Sequence, residues 1–235
     1  MLTLKCISTG STANCYLLSN GKEILILDMG IKYANLITEI DDLDKVVGAV
    51  LSHHHTDHNA YNGKHRTSEL LEQIGIRVLS PDNVSLHKKY KLGSFEIIPV
   101  ENVHNVVCYG YVIRIDNEFV YFATDTSKLS KISNIQFDHL IVECNYCNYL
   151  VNEAMFLNDT NLAHLNSILK YHHSFNSLSE YLEDLGYNPK TIISIHKSNT
   201  GYFNEKEVRA MLKLHTPNAY VAKNNTTYIL GGKNA

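Results

Sequence analysis

The sequence predicts an α+β fold in which two β-sheets pack face to face with helices outside. Three observations predict it. Strand-like runs dominate each half of the chain, with short helical patterns between them. Their order does not alternate strictly, as a wholly parallel sheet would require. Four strand candidates end in polar residues that would meet along one edge, at His53 and His55, at Asp125, at Glu143 and at His196. With 235 residues, 44% of them hydrophobic and 19% charged, the chain is long enough for one core, and a single domain over residues 1–235 is expected.

Taken in order, Leu2 to Ile7 alternates apolar and polar residues, the small-residue loop Ser8 to Asn14 follows, and Cys15 to Leu18 and Glu23 to Leu27 flank a Ser19-Asn20-Gly21 turn. This reads as a β-meander. Tyr33 to Ile40 is a short helix candidate, and Val46 to Leu51 is a buried-type strand that runs straight into a histidine cluster. Thr67 to Ile74 has helical spacing and stops at Gly75; Arg77 to Leu79 and Phe95 to Val100 are short strands. Gly110 to Ile115 and Glu118 to Ala123 flank the hairpin signal Asp116-Asn117, and the second runs into Thr124-Asp125-Thr126. His139 to Val142 ends at Glu143. Ser177 to Leu185 reads as a helix with a Ser177/Glu180 capping box and Gly186 as its stop. Thr191 to Ile195 ends at His196, Asn204 to Leu214 is an amphipathic helix, and Ala219 to Ala222 with Thr226 to Leu230 reads as a last hairpin around Asn224-Asn225.

Composition excludes several classes. The net charge is −3 and no run of five like charges occurs, so nonspecific nucleic-acid binding is not expected. The first ten residues lack a basic start followed by an apolar stretch, and no segment is apolar enough for a membrane span, so neither a signal peptide nor a membrane partner is expected. Five scattered cysteines suit reduced thiols in a cytoplasm. Cys144-x-x-Cys147 lacks a second pair for a zinc ribbon, and Lys88-Lys89-Tyr90-Lys91 reads as a solvated basic face.

The informative residue is histidine, with 13 in the chain and five between His53 and His65. Within Ser52-His53-His54-His55-Thr56-Asp57-His58, alternate side chains of a tight loop can point the same way. His53 and His55 can then grip one ion, and Asp57 and His58 a second, while His54 faces outward. The competing reading is a solvated polar loop.

Together these residues resemble the metallo-β-lactamase-fold hydrolases, and among them the ribonuclease Z-like phosphodiesterases. The resemblance rests on the Ser8 to Asn14 loop, Ile26-Leu27-Asp28-Met29-Gly30, the His53 to His58 motif, His104 before Gly110-Tyr111-Val112-Ile113, Ala123-Thr124-Asp125-Thr126 and His196-Lys197-Ser198. It implies a four-layer αββα sandwich with two divalent metal ions at one edge between the sheets, zinc being expected and manganese, iron or cobalt also suited. It implies that His53, His55 and His104 hold the first ion, that Asp57, His58 and His196 hold the second, and that Asp125 bridges both. Asp28 either orients the histidine loop or is simply a turn residue at a strand end.

In such enzymes a further histidine protonates the leaving group. His164, between Asp125 and His196, fits in order, although Leu165 and Asn166 replace the usual Ser or Thr neighbours; Glu143 would either hold it in position or simply be solvated at its strand end. His172-His173 reads instead as the end of a helical segment. Asp57 and Glu143 complete the catalytic set with His164, and water is the nucleophile.

The implied function is metal-dependent hydrolysis of small nucleotide phosphodiesters, 3′,5′-cyclic mononucleotides foremost. Tyr146 or Tyr149 would stack on the base, or else pack in the core. The compact phage-encoded anti-Pycsar type is similar in this respect; it implies a homodimer acting in a host cytoplasm against cyclic nucleotide immune signals. The rivals are a nuclease, for which the chain shows no Gly-Pro-rich arm, a lactone or thioester hydrolase, and a binding module that holds no metal.

Overall fold

The computed structural model describes residues 1–157 and 161–232. Its first half opens with the expected meander of β1 (Thr3–Ser8), β2 (Cys15–Ser19) and β3 (Ile24–Met29), all antiparallel. The Asn20 side chain makes the first hairpin turn by accepting from the Lys22 and Glu23 N–H groups at 2.9 and 2.8 Å. Then come α1 (Tyr33–Thr38), β4 (Val46–Val50) parallel to β3, the small hairpin of β5 (Tyr61–Asn62) and β6 (His65–Arg66), α2 (Thr67–Gln73) and β7 (Val78–Leu79). Period-two alternation gives these strands two buried faces. Leu4, Leu18 and Leu25 lie in register on the inner face, while Leu17, Ile26 and Ala49 lie in register on the outer face beneath Leu36 of α1 and Leu71 of α2.

The second half forms its own sheet. β8 (Tyr90–Leu92), β9 (Phe95–Asn102), β10 (Cys108–Ile115) and β11 (Glu118–Ala123) are antiparallel. β12 (His139–Glu143) follows in parallel, then α3 (Asn148–Phe156), α4 (Leu162–Tyr171) and α5 (Phe175–Asp184), β13 (Thr191–Ile195), α6 (Glu205–Leu212) and β14 (Ala219–Val221). The strand order is β14-β13-β12-β11-β10-β9-β8, facing a sheet of order β15-β1-β2-β3-β4-β7 whose β15 is Thr226–Ile229. Phe95, Tyr111, Phe122, Ile141 and Ile193 fill the space between the sheets against the inner leucines. On the far side Tyr121, Leu140 and Ile192 pack under Leu178 and Leu182 of α5 and Val208 and Leu212 of α6. Burying each such side chain contributes about 1.5–3 kcal/mol. The result is the four-layer αββα sandwich. Among the described residues no helix is long and apolar enough to cross a membrane.

Two local expectations are corrected. The chain turns at Asn224-Asn225, with Asn225 at φ +55°, but β14 and β15 do not pair. β14 joins β13 in parallel after the α6 crossover, and β15 crosses to the free edge of β1, so a change of sheet and a hairpin share one local signature. Helix α5 also starts earlier than its sequence signal. Ser174, not Ser177, is the N-cap, its hydroxyl accepting from the Ser177 N–H.

Candidate metal centre

The polar residues do meet at one edge, at the C-terminal ends of β3, β4, β11, β12 and β13. Three of them, Asp28, Asp125 and His196, have left-handed backbone at φ +54°, +46° and +52°. This is uncommon for residues with a Cβ and frequent where a site dictates side-chain direction. Asp28 is the extra residue of a β-bulge, since Cys15 pairs with Met29 and Tyr16 with Leu27.

The histidine loop after β4 is clamped through its backbone. The Met29 N–H donates to the His58 carbonyl at 2.8 Å, and the Asn14 N–H to the Asp57 carbonyl at 2.7 Å. The Gly30 N–H donates to the Asn14 carbonyl at 2.8 Å, which locks the Ser8 to Asn14 loop into the same clamp. A Cβ on Gly30 would stand 1.7 Å from the Asp57 carbonyl oxygen, so only glycine fits there.

The expected ligands form two groups that share one carboxylate, Asp125, and a third group joins it to Glu143, His172 and His196. In the first, His53 Nε2 lies 2.9 Å from His55 Nδ1, His55 Nδ1 lies 3.4 Å from His104 Nε2, and Asp125 Oδ2 is 3.7 and 3.6 Å from the His53 and His104 nitrogens. In the second, His58 Nε2 is 3.3 Å from Asp57 Oδ2 and 3.2 Å from Asp125 Oδ1, while His196 Nε2 is 3.5 Å from Asp57 Oδ2 and 3.2 Å from Asp125 Oδ1. A tetrahedral ion with ligands at about 2.0–2.1 Å sets them roughly 3.3 Å apart. The donor spacing therefore fits a divalent cation in each group, with Asp125 offering one oxygen to each.

Protonation supports the fit. Burial lowers the pKa values of His53, His55 and His104, which leaves their lone pairs free. Burial acts the same way on His58 and His196, but Asp125 and the other carboxylates outweigh it and raise both, His196 to about 10. Burial would raise the Asp125 carboxyl, yet His196 and His58 hold it well below the usual range. The second group thus gathers positive charge around its carboxylates even from protons, a role a metal cation fills better.

The ring nitrogens that face away from these groups are also held. Asp28 Oδ2 accepts from His58 Nδ1 at 2.7 Å, and its Oδ1 accepts from the Ser52 N–H at 2.7 Å, so Asp28 orients the loop and is more than a turn residue. The Tyr171 carbonyl at the end of α4 accepts from His104 Nδ1 at 3.4 Å. Glu143 Oε1 accepts from His196 Nδ1 at 2.9 Å.

His164 is not part of this arrangement. It sits near the start of α4, exposed, its N–H bonded to the Asn161 cap. The residue beside the clusters is His172, the C-cap of the same helix, whose Nδ1 donates to Glu143 Oε1 at 2.7 Å and whose ring stacks on His196 at 5.3 Å. His172 thus ends its helix, as the sequence suggests, and also reaches the site. The available signal was the Tyr171-His172-His173-Ser174 run, since Ser174 caps the next helix and forces a sharp turn there. Glu143 is where it was expected, fully buried, with His172 rather than His164 as its partner.

Of the two readings of the tyrosines, packing holds for Tyr146. Tyr146 is core, packed with Val151, Leu165 and Ile168, and the Tyr149 hydroxyl accepts from Asn204 Nδ2 at 3.0 Å. His54 does face outward, paired with Asp82 at 2.7 Å. The five cysteines are free and buried.

The two sheets, the outer helices and the paired donor groups at one edge define a metallo-β-lactamase-fold protein. No family model and no curated protein matches the sequence. Solved structures match the fold. The metallo-β-lactamase fold protein YhfI from Bacillus subtilis superposes with a TM-score of 0.71 over 97% of this chain and 98% of its own, at 16% identity. A diphosphatase of the PhnP family reaches 0.61 over 97% and 98% at 14% identity, and the short form of human tRNase Z reaches 0.60 over 97% and 99% at 10%.

Proposed function

We propose that this chain is a dinuclear metal-dependent phosphodiesterase for small nucleotide phosphodiesters, 3′,5′-cyclic mononucleotides foremost, which it opens to mononucleotides. The observation that carries this reading is the His172–Glu143 pair beside the two donor groups. A phosphodiester expels an alkoxide, a poor leaving group that needs a proton as it departs. Glu143 fixes the His172 Nδ1–H, which leaves Nε2 as the nitrogen that delivers a proton. Burial opposes charge on this ring, but Glu143 outweighs it and raises the His172 pKa. A thioester releases a thiolate unaided and would give this pair no such task.

Bound divalent ions, for which zinc suits the donors, would acidify the attacking water and neutralise the phosphoryl oxygens. His53, His55 and His104 with Asp125 would hold one ion, and Asp57, His58 and His196 with Asp125 the other. The names of two matching structures, a diphosphatase and a tRNase, support phosphoryl chemistry. The net charge of −3 favours a small substrate over a polymer. In the segment between β12 and β13 the chain carries the helices α3, α4 and α5, and the end of α4 brings Tyr171 and His172 to the site. Phe156 and Leu157, at the end of α3, are 86% and 63% exposed, which supports a homodimer that covers them.

The test is direct competition with defined added metals. Cyclic AMP, GMP, CMP and UMP are offered against single-stranded DNA and RNA at equal phosphodiester concentration, with a lactone as a control. Conversion of a cyclic mononucleotide is expected. Rapid oligonucleotide degradation without it would leave the nuclease standing, and lactone turnover alone would replace phosphoryl with acyl transfer.

A further inference from the structure

We propose that Ser52 is the positioning residue that sets the tautomer of His53, through a hydroxyl relay from Asp28, and so keeps two donors of the first metal group available. The inference rests on the metal reading above but concerns a residue that holds no metal itself.

Ser52 is fully buried between β4 and His53. Its hydroxyl donates to Asp28 Oδ2 at 2.9 Å and lies 3.0 Å from His53 Nδ1. A serine hydroxyl has one hydrogen. With that hydrogen on Asp28, the oxygen can only accept from His53, so the imidazole proton must sit on Nδ1 and Nε2 is left bare. The other polar atom near this nitrogen is Cys108 Sγ at 3.7 Å, a longer and weaker acceptor.

The alternative tautomer has an attractive partner of its own. His53 Nε2 is 2.9 Å from His55 Nδ1, a hydrogen-bonding distance. A proton on Nε2 would bond these two nitrogens to each other, and both donors would be lost to an ion at once. The hydroxyl relay prevents this. His58 does not need it, because its Nδ1 meets Asp28 Oδ2 directly at 2.7 Å while the Ser52 oxygen is 3.4 Å away. One carboxylate thus braces both groups, the second by contact and the first through Ser52.

The test compares wild type, Ser52→Ala and Ser52→Thr by stepwise metal titration and by nitrogen-15 spectra of the imidazoles in metal-free protein. Wild-type His53 should carry its proton on Nδ1. In Ser52→Ala the proton should move to Nε2, affinity for the first ion should fall by about 10–100-fold, and the second step should be unchanged. Ser52→Thr, which keeps the hydroxyl, should restore both readouts. If Ser52→Ala does not fold, Ser52→Cys, with a weaker donor and acceptor of similar size, makes the same comparison and should show a smaller shift in the same direction. A wild-type tautomer and two unchanged binding steps in the variant would overturn the proposal, as would equal weakening of both steps. A wild-type protein that takes up no ion would instead remove the metal reading itself, and this proposal with it.

Discussion

Replacing Glu143 by Gln changes one atom, and the structure says why it will not be tolerated. The carboxylate has four partners, all donors. Oε2 accepts from the backbone N–H groups of Thr126 and His173 at 2.9 and 3.1 Å, and Oε1 from His172 and His196 Nδ1 at 2.7 and 2.9 Å. A glutamine must present its NH₂ to one of these pairs. Facing the backbone it leaves two buried N–H groups without acceptors, at about 1–3 kcal/mol each, so roughly 2–6 kcal/mol of a total near 5–15 kcal/mol. Facing the imidazoles it forces both to accept on Nδ1, which puts the His196 proton on the nitrogen aimed at Asp57 and Asp125 and blocks the second metal group. Burial would raise the Glu143 carboxyl, but His172 and His196 pull it from 4.5 down to about 2. A depressed carboxylate stabilises the fold above its unfolded value and loses that contribution as the pH falls through about 2. Denaturant unfolding of metal-free protein should therefore show Glu143→Gln to be less stable at neutral pH and less sensitive to acid between these values, with metal analysis run in parallel. A variant within about 1 kcal/mol of wild type that still takes up two ions would refute the reasoning.

Asp125→Ala should empty both groups, because each loses its shared oxygen; two ions per chain in this variant would sink the bridging assignment. His172→Ala should lower turnover by about 10²- to 10⁴-fold with metal content intact, whereas His164→Ala, at an exposed helix position, should stay near wild type; single-turnover assays separate the two. Gly30→Ala should displace the Asp57 carbonyl and cost about 1–3 kcal/mol or more, read as a lower melting temperature together with weaker binding of the second ion.

Most of the metal centre was legible because its donors follow strands whose apolar runs are plain in the sequence, and because His53 to His58 is a local motif. What position in the chain could not supply was the proposed proton donor. His164 satisfies the order of residues, but His172 lies eight residues further along, about 12 Å on a helix axis, and only the end of α4 brings a side chain to Glu143. Helix α3 carries little sequence signal for a related reason. Tyr149, Met155 and Phe156 are exposed and blur the apolar stripe that marks a surface helix. The separation of β14 from β15 depends on the open edge of β1, more than two hundred residues away in sequence, which no local pattern encodes.

The return of β15 to β1 gives the chain a fixed order of completion during synthesis. The β1 edge of the first sheet stays open until β15 leaves the ribosome, and an unpaired edge is a template for wrong partners. The donors of the candidate metal centre are made in the same sequence. His53, His55, His104 and Asp125 are all made before β12 begins, whereas His196 comes 71 residues after Asp125. At ribosomal speeds this interval is about 4–14 s. A nascent chain thus carries every donor of the first group well before it carries the last donor of the second, His196.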